Sequence, residues 1–236
     1  MNERPSIDPS RVALITGAAG GIGSRMARRF AAGGWRLTLL ERPHNLAKVR
    51  DAFPDALVLG VDLTSSEDAA AAVGTALEQR GRIDALLNVV GGFSMQSAVD
   101  LDDAELERQL DLNLRSAVHA TRAVLPAMLE RGSGFVMGIA AAPVVRGSAR
   151  MPAYGAAKSA LAGYLRSVRA EVEPKGVGVA LLVPMGTVDT PANRASMPTA
   201  DRTGWIDPDE LAAAAAFLAG RSARGRVREL QVYGPG

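Results

Sequence analysis

Two hydrophobic rhythms alternate along this chain. Short, continuously apolar runs are followed by longer stretches in which apolar residues recur every three or four positions. The first rhythm marks buried strands and the second amphipathic helices. The runs "RVALIT" (11–16), "RLTLLE" (36–41), "ALVLGV" (56–61), "IDALLNVV" (83–90), "GFVMGI" (134–139), "GVGVALLV" (176–183) and "RELQVY" (228–233) are the expected strands. Helices are expected over 21–34, near 44–52 and 66–81, over 102–131 and 152–173, and more briefly over 207–219. Within 102–131, Leu106, Leu110, Leu114, Val118, Val124 and Leu125 recur at helical spacing.

Strands that are apolar throughout, rather than alternating, suit a parallel sheet covered on both faces. The β-α-β-α order implies right-handed crossovers. The expected fold is α/β: one doubly wound, Rossmann-like parallel sheet of about seven strands, with helices on both faces. No linker, repeat or low-complexity block interrupts the pattern, so residues 1–236 are expected to form a single domain. Residues 1–10 form a loose lead-in, and the turn-rich segment 185–205 is long enough to serve as a substrate lid.

Composition narrows the chemistry. The chain has no cysteine, which excludes a disulfide framework and a thiolate zinc site. Its net charge is +2 and its basic residues are scattered, so no nucleic-acid patch is expected. The polar start "MNERPSIDPSR" has no apolar segment of the signal-peptide kind, and no apolar run is long enough to span a membrane. A cytoplasmic protein without membrane contact is the expectation. There are only two histidines, His44 and His119, both expected at the surface, and no G-x-S-x-G, so a Ser-His-Asp hydrolase has little to build from.

The stretch "ITGAAGGIGSR" lies between the first strand and the first helix, with Gly17, Gly21 and Gly23 spaced G-x-x-x-G-x-G. Glycines there let the backbone turn tightly and approach a pyrophosphate, which the helix N-terminus would hold. Glu41 ends the second strand, where a carboxylate can accept both adenosine ribose hydroxyls and repel a 2′-phosphate. That favours NAD(H), although Arg42 beside it leaves NADP(H) possible. Asp62, in "VDLT", could accept from an adenine amino group or belong to the start of the next helix. Tyr154 and Lys158 stand four apart on one helix face. A nearby ammonium is expected to lower the phenol pKa, fitting the tyrosine for proton transfer.

With these motifs in place the chain resembles the short-chain dehydrogenase/reductase family along nearly its whole length. "TGAAGGIG" matches the family's T-G-x-x-x-G-x-G and adds Thr16 and Ile22 to the expected cofactor contacts. Leu63 joins Asp62, and "NVVGG" supplies Asn88 and Gly91 where the family has N-N-A-G. "LNLRS" places Asn113 at the family's helix asparagine, which supports a proton-relay water beside the lysine. "YGAAK" is the catalytic pair Tyr154 and Lys158, which also contact the cofactor. "PMGTVDT" stands for P-G-x-V-x-T, giving Pro184, Val188 and Thr190, with one extra residue near Gly186. The resemblance implies a nicotinamide-dependent oxidoreductase acting on a small molecule. It also implies a homo-oligomer, dimer or tetramer, packed through the helices at 102–131 and 152–173.

The family's substrate-orienting serine has no counterpart: that position is Ala141, between Ala140 and Ala142. Ser94 and Ser148 are the candidate replacements. The segment "VPMGTVDTPANRASMPTADRTGW" is similar to one in dihydropteridine reductases, which also lack the serine, carry "VAGG" where this chain has "VVGG", and use NADH. That narrower resemblance implies a quinonoid or pterin-like substrate, with Phe93, Met95 and Met151 as an apolar slot or as ordinary packing. An ordinary carbonyl or alcohol (3-oxoacyl-type) reductase is the alternative. So is a non-catalytic dinucleotide-binding regulator, against which Asn113, Tyr154 and Lys158 argue.

Overall fold

The computed structural model describes residues 10–235, so all of the expected lead-in except Ser10 lies outside the described residues. Seven strands form one sheet: β1 (Val12–Thr16), β2 (Arg36–Glu41), β3 (Leu57–Gly60), β4 (Ala85–Asn88), β5 (Gly134–Ile139), β6 (Val177–Pro184) and β7 (Glu229–Val232). Their order is β3-β2-β1-β4-β5-β6-β7, and every pairing is parallel. The order reverses between β1 and β4, and the crevice at such a switch point is where doubly wound folds bind ligands. The expected fold class is therefore the observed one.

The sheet explains the apolar runs. Leu14, Leu86, Val136 and Leu181 face one core layer, while their neighbours Ile15, Leu87, Met137 and Leu182 face the other. The first layer is closed by α3 (Ser66–Arg80), α5 (Ser116–Arg131) and α6 (Pro152–Val172). The second is closed by α1 (Gly21–Ala32) and α8 (Pro208–Ala219). A central strand buried on both sides has no polar face to show. Only β7, at the edge, alternates between half-buried and exposed. The remaining helices are α2 (Leu46–Ala52), α4 (Asp103–Leu110) and α7 (Pro191–Ser196).

The helix expected over 102–131 is not one α-helix. It breaks into α4, a π turn at Asp111–Arg115, and α5. Of its six periodic apolar residues, Val124 alone marks the innermost face. Leu106, Leu110, Leu114, Val118 and Leu125 are half-buried, whereas Gln109, Asn113, Ser116, Thr121 and Val124 are buried. The reason is local polar chemistry. The Asn113 amide donates to Gly92 O (3.0 Å), Gln109 O (3.1 Å) and Gln109 Oε1 (2.8 Å), and Asn113 Oδ1 accepts from Gly92 N (3.2 Å). A side chain that binds backbone on two elements competes with the helical ladder, and π turns arise at such insertions.

Candidate active site

The glycine turn joins β1 to α1, as its spacing anticipates. Gly17 has φ +71°, a conformation that suits glycine. A Cβ on Gly23 would lie 2.2 Å from Gly17 O, so no larger residue fits there. α1 starts with Gly20 at its N-cap, no side-chain cap and no acid in its first turn. By contrast α3, α4, α7 and α8 are each capped by a side chain: Ser65, Asp102, Thr190 and Asp207. An uncapped N-terminus leaves its N–H groups and positive dipole end for an anion.

Glu41 is buried at the end of β2 and is already at work. Its Oε2 accepts from Ala19 N at 2.8 Å, and its Oε1 from Arg42 N at 2.9 Å and Asn45 Nδ2 at 3.2 Å. Lys48 Nζ donates to Ala19 O at 3.2 Å. The two side chains thus grip the glycine turn at one residue, Ala19, one at its N–H and the other at its carbonyl. The sequence hints at Lys48 only through the scarcity of lysine. Asp62 Oδ1 accepts from Thr64 N (3.0 Å) and Oγ1 (2.8 Å), which pulls its pKa down. The cap of α3 is Ser65, so Asp62 shapes the turn before the helix.

Tyr154 and Lys158 both sit on α6 beside a single cavity of about 890 Å³. Lys158 is buried, donates to Ile139 O at 2.8 Å, and lies 5.9 Å from the centre of the Tyr154 ring. Burial draws its ammonium down to about 8. Tyr154 keeps part of its surface open, yet packing around the phenol pushes its pKa up to about 12. The lowering expected from the lysine is absent in this arrangement: desolvation alone sets the direction, and the ammonium is turned to Ile139 O. Phe93 packs edge-on to the Tyr154 ring, with centres 5.2 Å apart. A Cβ on Gly91 would stand 2.8 Å from Asn113 Oδ1 and 3.2 Å from Lys158 Nζ, so the chain narrows to glycine where these two residues converge.

Most of the expected site residues line this one cavity: Gly17, Gly21, Ile22, Gly23, Glu41, Asp62, Leu63, Gly91, Asn113, Tyr154, Lys158, Pro184, Val188 and Thr190. Thr16 and Asn88 do not, and stand behind its wall. Thr16 Oγ1 accepts from Val89 N (2.9 Å) and Val90 N (3.1 Å), tying β1 to the chain leaving β4. Asn88 Nδ2 donates to Thr121 Oγ1 at 3.1 Å. The extra residue of "PMGTVDT" is absorbed by pairing: Met185 is buried and its N–H meets Val232 O at 2.8 Å, leaving Gly186 exposed. Ala141 is buried on the cavity wall, and its neighbours Ala140 and Ala142 bring no hydroxyl. Ser94 does not line the cavity and stands near Glu105, whose carboxyl Arg108 holds near 2, whereas Ser148 lines the cavity. His44 is exposed, but His119 is half-buried, its Nδ1 lying 2.9 Å from Leu63 O. Among the described residues no helix is long and apolar enough to cross a membrane.

Known proteins share this fold. The family model for short chain dehydrogenase matches residues 11–201. The chain belongs to that family. It is 33% identical over 228 residues to an acetoacetyl-CoA reductase of Allochromatium vinosum, covering 89% of this chain and 92% of the relative. A 3-ketoacyl-(acyl-carrier-protein) reductase from Brucella melitensis, solved with NADH, superposes with a TM-score of 0.83 at 29% identity, covering 95% of this chain and 97% of that one. An alcohol dehydrogenase from Thermococcus sibiricus, solved with 5-hydroxy-NADP, gives 0.85 at 26% identity, covering 95% and 96%. As a short chain dehydrogenase the protein is an NAD(P)-dependent oxidoreductase.

The residues present fit a nicotinamide dinucleotide. The glycine turn is stripped of side chains where a pyrophosphate would pass, the helix behind it is uncapped, and Glu41 and Asp62 line the same cavity as Tyr154. Thr190 crosses over the turn: a Cβ on Gly21 would lie 2.7 Å from Thr190 Cβ. The expected lid therefore rests on the glycine turn. It contains α7, is pinned at its start by the bridge between Val188 and Ile206, and has Asn193 Nδ2 donating to Val188 O at 2.8 Å.

Proposed function

We propose that this oxidoreductase reduces a small conjugated substrate of quinonoid or pterin-like type, with NAD(H) as its favoured cofactor and Tyr154 as its sole side-chain proton donor. The observation that carries the reading is Ala141. It is buried at the family's serine position, and Ser94 does not line the cavity. A ketone gathers charge on one oxygen during reduction, where losing one of two donors costs ~3–4 kcal/mol. A quinonoid acceptor spreads that charge over several heteroatoms, so one donor suffices.

When bound, the nicotinamide supplies the hydride. Tyr154 gives its proton to the substrate heteroatom. A phenol held near 12 stays protonated at working pH, so it starts as an acid, which favours the reducing direction. Lys158, held near 8, is still largely an ammonium at neutral pH and stabilises the phenolate left behind. Asn113 fixes Gly92 and the π turn beside that lysine, in keeping with a role in returning the proton. Glu41 favours NAD(H) by presenting its carboxylate to the adenosine end of the cavity. Assembly as a homo-oligomer through the helices within 102–131 and 152–173 is in keeping with the family. A cytoplasmic setting fits the reading.

Ser148 gives a second reading some weight, since it lines the cavity and could act for the missing serine. The chain would then be an ordinary carbonyl reductase. NADH and NADPH oxidation against quinonoid dihydropterin, quinones and small ketones separates the two. Quinonoid turnover with slow ketone reduction is expected. Rapid ketone reduction abolished by Ser148→Ala would overturn the primary reading.

A further inference from the structure

Six charged side chains line the cavity: Glu41, Arg42, Lys48, Asp62, Arg146 and Lys158. Glu41, Arg42, Lys48 and Asp62 come from β2, α2 and the segments after β2 and β3, at the adenosine end. Lys158 is buried beside Tyr154. That leaves Arg146 as the one exposed cation at the substrate end.

Its backbone is well anchored. The chain leaves β5 through Ala140 and Ala141 and makes a short 3-10 turn at Ala142–Val144. Arg146 N donates to Ala142 O at 3.0 Å, which seats it one turn beyond the missing serine. The turn rests on α6, where a Cβ on Gly155 would meet Pro143 Cβ at 3.5 Å, next to Tyr154. The loop then returns through Arg150, the only residue other than glycine with positive φ (+62°) among those described, and Arg150 O accepts from Gln96 N at 3.0 Å. That bond ties the arginine loop to the segment carrying Phe93 and Met95.

The guanidinium itself has no hydrogen bond or ion pair with any described residue. Arg108 pairs with Glu105, Arg166 with Glu229 and Arg194 with Asp189. The exposed Arg29, Arg50 and Arg122 are, like Arg146, unpaired among the described residues but lie off the cavity. What sets Arg146 apart is that it is unpaired at the substrate end of the cavity wall. The cavity around it is lined by Phe93, Met95, Pro143, Met151 and Met197. An unpaired fork of donors beside an apolar ring slot matches a carboxylate, which a guanidinium can hold with two parallel bonds. Such a bond would also orient a substrate that Ala141 cannot.

Resting on the reading above, we propose that the substrate is a conjugated carbonyl or imine that carries a carboxylate, and that Arg146 binds that carboxylate. The test uses matched pairs: 2-carboxy-1,4-benzoquinone against 1,4-benzoquinone, and acetoacetate against its methyl ester. The protein should prefer each acid. Arg146→Met should lower kcat/KM for the acid ~10–100-fold more than for its neutral partner, mainly through KM, because a hydrogen bond to a charged group is lost. Arg146→Lys should restore part of it. Independently of turnover, benzoate should bind the NADH complex at least tenfold tighter than benzamide, and Arg146→Met should remove the difference. Equal binding of benzoate and benzamide, or equal losses for acid and neutral partners, would overturn the proposal. If the ketone pair shows the Arg146 effect while neither quinone is reduced, the conjugated-substrate reading fails and the carboxylate site stands.

Discussion

The two ends of the cavity are built on different principles. At the proposed dinucleotide end the lining is largely backbone: Gly17 at φ +71°, Gly23 packed on Gly17 O, and the uncapped start of α1. Side chains there serve mostly to hold that backbone, as Glu41 and Lys48 do at Ala19. At the proposed substrate end the lining is made by side chains on α6 and on loops: Tyr154, Lys158, Ala141, Ser148 and Arg146. A backbone cradle admits one class of ligand and tolerates little change. A set of loop side chains can be re-aimed by single substitutions, so specificity lives there.

The sharpest way to test that division is Tyr154→Phe. It removes the proton source and should lower reduction of every substrate by ~100- to 10,000-fold, measured as steady-state NADH oxidation, while NADH still titrates onto the protein. Residual turnover within a few-fold of the native rate would mean another proton donor. Ala141→Ser probes the same end with the opposite sign. Ketone reduction should rise by up to ~100-fold if the new hydroxyl reaches the substrate, with little change for quinones. No rise for any ketone would mean that the hydroxyl does not reach the reacting oxygen.

Glu41→Ala turns to the other end. Two consequences are expected: loss of discrimination against NADPH, and NADH binding about tenfold weaker because Ala19 N loses its acceptor. Isothermal titration with both cofactors measures each. NADPH bound more tightly than NADH by the native protein would show that Arg42 and Lys48 govern the corner instead.

The smallest effect is on stability. Lys158 has a folded pKa near 8, below its ordinary 10.5, so the unfolded chain binds more protons between those values. The ammonium's desolvation cost is fully present below about pH 8 and is relieved as pH rises towards 10.5. Tyr154 acts in the reverse sense. Its folded pKa is near 12, above its ordinary 10.0, so its contribution is present below pH 10 and is lost above it. Denaturant midpoints for the native protein, compared with Lys158→Met, should show a lysine-dependent rise between pH 8 and 10. A flat difference would place that ammonium in a better-solvated setting.

The strands, their parallel arrangement and the glycine turn were legible in the sequence because each rests on a short-range rule. A strand buried on both faces must be apolar throughout, and a turn that passes a pyrophosphate must be glycine. The spacing of Tyr154 and Lys158 on one helix follows from helical geometry in the same way. Tertiary structure decided what depends on distant partners. The 102–131 stretch breaks at Asn113 because its amide binds Gly92, on a loop far away in the chain. Thr16 and Asn88 fall behind the cavity wall, where Thr16 Oγ1 accepts from Val89 N and Val90 N and Asn88 Nδ2 donates to Thr121 Oγ1. The Tyr154 phenol rises rather than falls because desolvation depends on everything packed around it, which no local spacing records.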